Sequence, residues 1–394
     1  MYDVLVVCTH FSQGEAATRR LIYFMNFLLQ HKLSVGCLGS IVIPKGKIRL
    51  PISQCMIGSL IISMRSMFVH IINTLLSLPT FFYIIVLRPK IVLMSVPDHF
   101  PLLPVFIGTK IVGSKLVIDF RDPIEATYGI HLTGNKIGAV IAKFIIKVVY
   151  SICHRADAVI AVTKSLANML KNYADIKAIV VPNGADLRIF KKVHRSLSRQ
   201  LLGLDNNVFV IAYAGMIGAY HDLSEFMIMI QRLNKLSSRD IKLLLAGPIV
   251  DEKHRRLINS PLLKGMITYL GELSTEELVV VLSASDVGVT PLTSSSVFDY
   301  AVPVKFYEYI AIGLPVLTLC NENSELWRIV SENNLGLTCR PGDKVCIMHS
   351  LEDLMSEEVY SRLKANVENY KSKIDRTIGA RILLVILRHM LHEG

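Results

Sequence analysis

Lys305 and Glu308 stand three residues apart in the run Val302-Pro303-Val304-Lys305-Phe306-Tyr307-Glu308-Tyr309. If the run is helical, both fall on adjacent parts of one face in its first two turns. Pro303 fits a first helical turn, where its missing N–H costs nothing, while Gly313 supplies a C-terminal cap and Pro315 prevents continuation. A helix N-terminus carries free N–H groups and the positive end of the dipole, and so favours phosphate. A lysine there adds a full charge, and a carboxylate one turn on can accept both hydroxyls of a ribose. Phosphate beside a diol is what a nucleotide diphosphate sugar presents. The same spacing also describes a surface ion pair, worth roughly a few tenths of a kcal/mol.

Other residues could join that chemistry. Gly215-Met216-Ile217-Gly218 follows an apolar run, and its glycines would let backbone approach a phosphate or simply make a tight strand-to-helix turn. The loop lacks a cation, so Lys305, Lys253, Arg255 or Arg256 must neutralise a diphosphate. Of these Lys305, at a helix start, is the best placed. Asp119-Phe120-Arg121-Asp122-Pro123 closes a strand and opens a loop. Arg121 and Asp122 are candidates for handling a second substrate, or an Asp–Arg pair braces the loop. The loop Thr9–Glu15 contains His10 and follows the first strand. There is no Asp-x-Asp and no metal-ligand spacing of His or Cys.

These residues are carried by a repeating strand–helix rhythm. Strands are expected at Val4–Cys8, Ile91–Ser95, Leu116–Asp119, Ala158–Val162, Ala178–Val181, Val208–Ala214, Ile241–Ala246, Ile267–Leu270, Val287–Thr290 and Val316–Leu319. Continuous apolar runs indicate parallel strands covered on both faces. The rhythm restarts at Val208 after the polar stretch Leu187–Arg199, which predicts an α/β chain of two doubly wound, Rossmann-like domains. The domains are set at 1–190 and 191–375, with a C-terminal helix at 376–394 packing back toward the first.

Composition narrows the partners. Hydrophobic residues make up 52% and charged residues 19%, with mean hydropathy +0.45. The net charge of +11 suits nucleotide phosphates, a lipid pyrophosphate or acidic headgroups. No pattern for nucleic acid is present. Seven dispersed cysteines without a C-x-x-C pair read as reduced thiols in a cytoplasmic protein. The N-terminus runs directly into a strand, without the marks of a signal peptide.

Two segments suggest a membrane surface. Ser66–Leu87 holds no Lys, Arg, Asp or Glu and reads as one covering helix, buried or grazing a bilayer; spanning is the alternative. In the second, Ile137, Val140, Ile141, Phe144, Ile145, Val148, Val149 and Ile152 line one helix face, with Lys136, Lys143, Lys147, Tyr150 and His154 opposite. That helix lies on an acidic membrane or packs its stripe on the sheet.

An ordered set of segments over about residues 115–345 resembles the family 4 glycosyltransferases, which have the GT-B fold. It comprises His154–Thr163, Val180-Val181-Pro182-Asn183-Gly184-Ala185-Asp186, Ala212–Gly218, Leu243–Pro248, Tyr269-Leu270-Gly271-Glu272, Ala284–Leu292, Pro303–Pro315 and Gly336–Asp343. The match to a "P-x-K-x-x-E-Y" subgroup implies that Glu308 holds the donor ribose. Tyr300 stands where the family's other glutamate usually helps hold the sugar. The resemblance implies a donor site of Pro303, Lys305, Glu308, Gly215, Gly218, Tyr300 and Glu272; Arg121 and Asp122, from their place after a strand, are the catalytic candidates on the acceptor side. It implies retaining, metal-independent transfer from a UDP- or GDP-linked sugar, without a further cofactor, to a polyprenyl- or lipid-linked glycan. The work would be done on the inner face of the cytoplasmic membrane, in cell-surface polysaccharide assembly. A catalytically silent GT-B module within a synthesis complex and a nucleotide-sugar 2-epimerase are the alternatives.

Overall fold

The computed structural model describes the chain apart from residues 10–15, 44–54, 63–67, 98–99, 125–135, 219–220 and 393–394. Contacts divide it into two units, Met1–Pro182 with Gly379–Gly394, and Asn183–Ile378.

Unit 1 runs β1 (Val4–Val7), α1 (Ala16–Gln30), β2 (Val35–Ile43), β3 (Met56–Ile62), α2 (Phe68–Leu75), α3 (Leu78–Leu87) and β4 (Ile91–Val96). It continues with α4 (Leu102–Val112), β5 (Lys115–Phe120), α5 (Lys136–Arg155), β6 (Ala158–Ala161), α6 (Lys164–Ala174) and β7 (Ala178–Val180). The strands pair in parallel in the order β3-β2-β1-β4-β5-β6-β7. Alternate positions point to opposite faces. Val4, Val6, Ile91, Leu93 and Ile160 face Leu21, Phe24 and Leu28 of α1.

Unit 2 runs α7 (Arg195–Leu201), β8 (Phe209–Ala214), α8 (Ser224–Leu236), β9 (Ile241–Ala246), α9 (Glu252–Ile258), β10 (Ile267–Gly271), α10 (Thr275–Ala284) and β11 (Val287–Pro291). Then come α11 (Val304–Ile312), β12 (Val316–Leu319), α12 (Glu325–Glu332), β13 (Gly336–Cys339), α13 (Lys344–Met355) and α14 (Glu357–Tyr370). Its parallel sheet has the order β10-β9-β8-β11-β12-β13, a doubly wound arrangement. The last helix, α15 (Arg376–His392), starts in unit 2 and buries Ala380, Leu383 and Leu387 in the core of unit 1.

Several local expectations change. Ser66–Leu87 is not one helix: within its described part α2 ends at Leu75 and α3 begins at Leu78, with Pro79 in the first turn of α3. Ser77 between them donates to Asn73 O at 2.7 Å, and Asn73 itself pairs with both backbone groups of Ile62 (2.9 and 3.0 Å). No helix among the described residues is long and apolar enough to cross a membrane. The stripe of α5 is split: Val149 and Ile152 are buried, while Val140 and Phe144 are exposed.

The cysteines are also corrected. Cys37 is bonded to Cys55 and Cys339 to Cys346, which leaves Cys8, Cys153 and Cys320 as buried thiols. The register that places Leu38 opposite Met56 brings their preceding cysteines side by side. No spacing in the sequence announces either pair.

The polar stretch before Val208 is packed rather than a loose tether. Arg199 is fully buried in α7 and donates to the carbonyls of Asp205, Asn206, Val208 and Ala284. Its remaining nitrogen meets Asp286 Oδ2 at 2.9 Å, and that carboxylate also accepts from Val210 N at 2.8 Å. Arg199 thus ties α7 to the entry of β8 and to the turn before β11. Removing one member of a buried pair costs about 3–5 kcal/mol. Arg199→Leu should therefore lower the urea midpoint of unit 2 sharply, and an unshifted midpoint would refute this role.

Candidate functional site

Strand order in unit 2 reverses between β8 and β11, and doubly wound sheets bind ligands outside the carboxyl ends of strands at that point. Gly215, just past β8, has φ +127°, a region that side chains rarely adopt. A Cβ there would also lie 3.0 Å from Lys305 Nζ, so the glycine lets the turn close onto that ammonium. Tyr309 of α11, one turn after Lys305 on the same helix face, fixes the same junction. Its buried hydroxyl accepts from Ala214 N at 2.9 Å and donates to Val289 O at 3.3 Å, tying α11 to both strands.

Pro303 is the N-cap of α11, extended at φ −60° and ψ 141°, one residue outside the first turn in which the sequence places it. Its carbonyl accepts from Phe306 N at 3.0 Å, but it has no side-chain oxygen to cap the leading N–H groups. Asp251, Ser274, Ser324 and Asp343, by contrast, cap α9, α10, α12 and α13. The start of α11, like those of α3, α4, α7, α8 and α14, has no side-chain cap on its leading N–H groups.

Lys305 lies in that first turn and is only 8% exposed. Its ammonium donates to Tyr213 Oη at 2.8 Å and sits 4.0 Å from the centre of the same ring. The Tyr213 hydroxyl in turn donates to Met216 O. Burial pulls Lys305 down to about 7, with the Glu308 charge opposing the shift. Glu308, one turn on, is itself buried. Among the described residues the ammonium has one hydrogen-bond partner, the neutral Tyr213 hydroxyl, and the buried Glu308 carboxylate acts on it through its charge without an ion-pair contact.

The other candidate cations are engaged elsewhere. Lys253 pairs with Asp222 at 2.9 Å, and Arg255 and Arg256 approach Glu252 at 3.5 and 3.2 Å. Burial raises Asp222, but hydrogen bonds with Lys253 and Ser224 outweigh it and hold the carboxyl well below its usual range. Gly218, φ +104°, has a packing reason of its own, since a Cβ would come 2.1 Å from Asp251 Oδ2. Asp251 also meets His254 Nδ1 at 2.7 Å, and His254 Nε2 accepts from Leu223 N at 3.1 Å, so this network shapes the loop after β8. Tyr300 ends a short 3-10 turn and is half-buried, while Glu272 follows β10 and is exposed.

Sequence reasoning missed His221 and the side chain of Tyr213. His221 Nδ1 donates to Pro291 O at 2.9 Å, and burial, followed by the Lys305 charge, lowers its pKa to about 4. The ring is therefore neutral at pH 7, and its Nε2 is an acceptor. Neither residue sits in a spacing that marks it; only the fold brings both beside Lys305.

In unit 1, Arg121 and Asp122 are half-buried directly after β5, with Arg121 N donating to Val96 O at 3.0 Å. Asp119, the strand residue before them, is braced by Arg20. Arg20 grips Asp119 at 3.0 and 3.2 Å and also donates to Val181 O at 2.9 Å. His10 lies outside the described residues.

Residues 208–357 match the profile of the family described as "Glycosyl transferases group 1". A curated relative, "Probable glycosyltransferase WbjE" of Pseudomonas aeruginosa, is 24% identical over 39% of this chain. The alignment spans 37% of that relative's length. Two solved structures match nearly end to end. HepE of Anabaena, in complex with UDP, has a TM-score of 0.68 at 14% identity, covering 98% of this chain and 100% of its own. WaaG, a glycosyltransferase involved in lipopolysaccharide biosynthesis, has a TM-score of 0.66 at 11% identity, covering 98% and 99%. The fold is that of GT-B glycosyltransferases, an α/β chain of two parallel-sheet Rossmann-like halves, and the match to the group 1 profile lies within unit 2.

Two outcomes test Lys305. Its folded value of about 7 lies below the ordinary 10.5, so the buried charge costs stability fully below pH 7 and ceases to as pH rises toward 10.5. Lys305→Met should therefore melt above the parent at pH 7, with the gap closing toward pH 10, yet bind a nucleotide sugar at least about tenfold more weakly. An anion on the parent should restore the lysine's charge. Calorimetry in buffers of differing ionisation enthalpy should show uptake of about one proton at pH 8 and about none at pH 6.

Proposed function

We propose that this chain is a retaining, family 4-like glycosyltransferase that moves a sugar from a UDP- or GDP-linked donor to a lipid-linked or polysaccharide acceptor in cell-surface glycan assembly. The observation that carries this reading is the buried Lys305 ammonium, hydrogen-bonded among the described residues to the neutral Tyr213 hydroxyl alone, at a helix start without a side-chain cap beside the Gly215 turn. A diphosphate supplies the missing charge, and Glu308, one turn along, accepts the ribose hydroxyls. The UDP carried by HepE and the glycan role of WaaG support the donor and acceptor classes.

In this reading Lys305 and the first N–H groups of α11 stabilise the leaving diphosphate as the glycosidic bond breaks, an electrostatic role that needs no protein-bound metal or further cofactor. Neutral His221, with Nε2 as acceptor, and Tyr300 would meet sugar hydroxyls. Arg121 and Asp122 of unit 1 handle the acceptor. Work at the inner face of a cytoplasmic membrane would follow from a lipid-linked acceptor. A catalytically silent role is not favoured, since residues 208–357 match the glycosyl transferases group 1 profile and the similar WaaG is a glycosyltransferase.

A thermal-shift screen of UDP, GDP, ADP and dTDP sugars should single out one donor, since a ligand bound only by the folded state raises its melting point. Glu308→Gln keeps the buried shape and should abolish transfer from that donor while melting near the parent. Turnover within about twofold of the parent would refute the ribose assignment.

A further inference from the structure

Helices α3, α4 and α5 form one layer on unit 1: α3 packs on β3, α4 on β4 and β5, and α4 touches both helical neighbours. Gly108 lets α4 approach α3, since a Cβ there would already meet Ile84 at 3.2 Å. The side of the layer turned away from the sheet is apolar. On α3, Leu78, Phe82 and Val86 recur every four residues, and on α4 so do Leu103, Ile107 and Ile111; all six are exposed. Phe82 is 61% exposed, Val86 78%, and Phe144 of α5 67%. Monomeric proteins rarely leave so many large apolar side chains in water on one face.

The charges around this face are of one sign. None of the chain's 32 acidic residues lies in α2, α3, α4 or α5, whereas Lys110, Lys143 and Lys147 stand exposed among the apolar tips. At 100° per residue, Lys143 and Lys147 share one sector of α5 with Val140 and Phe144. A second copy of this face would set lysine against lysine. An acidic lipid surface offers apolar depth for the side chains and phosphates for the ammonium groups.

We propose that unit 1 docks on an acidic bilayer through the outer face of α3, α4 and the first half of α5. Phe82, Val86, Ile107, Ile111 and Phe144 insert among acyl chains, while Lys143 and Lys147 bind headgroup phosphates. This deepens the membrane-surface part of the proposed function but does not depend on the donor site, because every residue involved lies in unit 1.

The test uses the full chain with phosphatidylcholine vesicles, with and without about a third phosphatidylglycerol. The parent should sediment with the acidic vesicles at low salt and far less with the neutral ones. Phe82→Ser with Ile107→Ser should cut sedimentation at least about tenfold, and Lys143→Glu with Lys147→Glu should erase the acidic preference. All variants should keep the parent's nucleotide-sugar thermal shift, and Lys305→Met should sediment as the parent does. This separates failure of the docking face from failure of the transferase reading. Insertion is read directly in Phe82→Trp, where only Trp327 supplies other indole emission. Its fluorescence should shift to the blue and be quenched by brominated lipid. Pelleting without that quenching, pelleting unchanged in the serine variant, or a lipid-free dimer abolished by Phe82→Ser with Ile107→Ser would each overturn the proposal.

Discussion

Taking an ammonium out of water is costly unless something compensates, and in unit 2 the compensation is a tyrosine hydroxyl and the face of its ring. That arrangement requires Tyr213 on the last turn of a strand to curl toward Met216, Gly215 to lack a side chain, and α11 to begin where it does. Tyr309 then secures α11 to β8 and β11. Each element near the strand-order reversal is thus constrained by the space that one cation occupies. The depressed pKa of Lys305 and the neutral His221 follow from the same burial.

Unit 1 solves a related problem differently. Its buried cation, Arg20, is given a carboxylate, and its spare nitrogens are used on the carbonyls of Val181 and Pro182. The pair is saturated and structural. The contrast is between a buried cation held by a carboxylate and one held by a neutral hydroxyl and an aromatic ring.

The strand–helix rhythm was readable because parallel strands buried on both faces must be nearly all apolar. The ten expected strands are present with ends moved by a residue or so. β2, β3 and β13 were not, since Gly36, Gly39, Gly58 and Gly336 dilute their apolar runs. Gly336 is demanded by packing, a Cβ there falling 1.8 Å from Val316 O, but such a reason exists only in three dimensions. The place of Lys305 and Glu308 in the first turns of a helix was legible because helix-start signals are local. Tyr213, His221 and the Arg199 staple were not, since their partners are distant in sequence. The cysteine pairs escaped for the same reason, being set by the register of β2 on β3 and by the fold-back of α13.

The path of α15 bears on how the chain is made. Val4, Val6, Ile91 and Leu93 need Ala380, Leu383 and Leu387 as their cover, yet all of unit 2 is encoded between the two sets. On the ribosome, unit 2 has every residue of its own core before unit 1 has its last helix. The half synthesised first is therefore the half completed last, and throughout that interval its sheet carries an uncovered apolar strip open to chaperones.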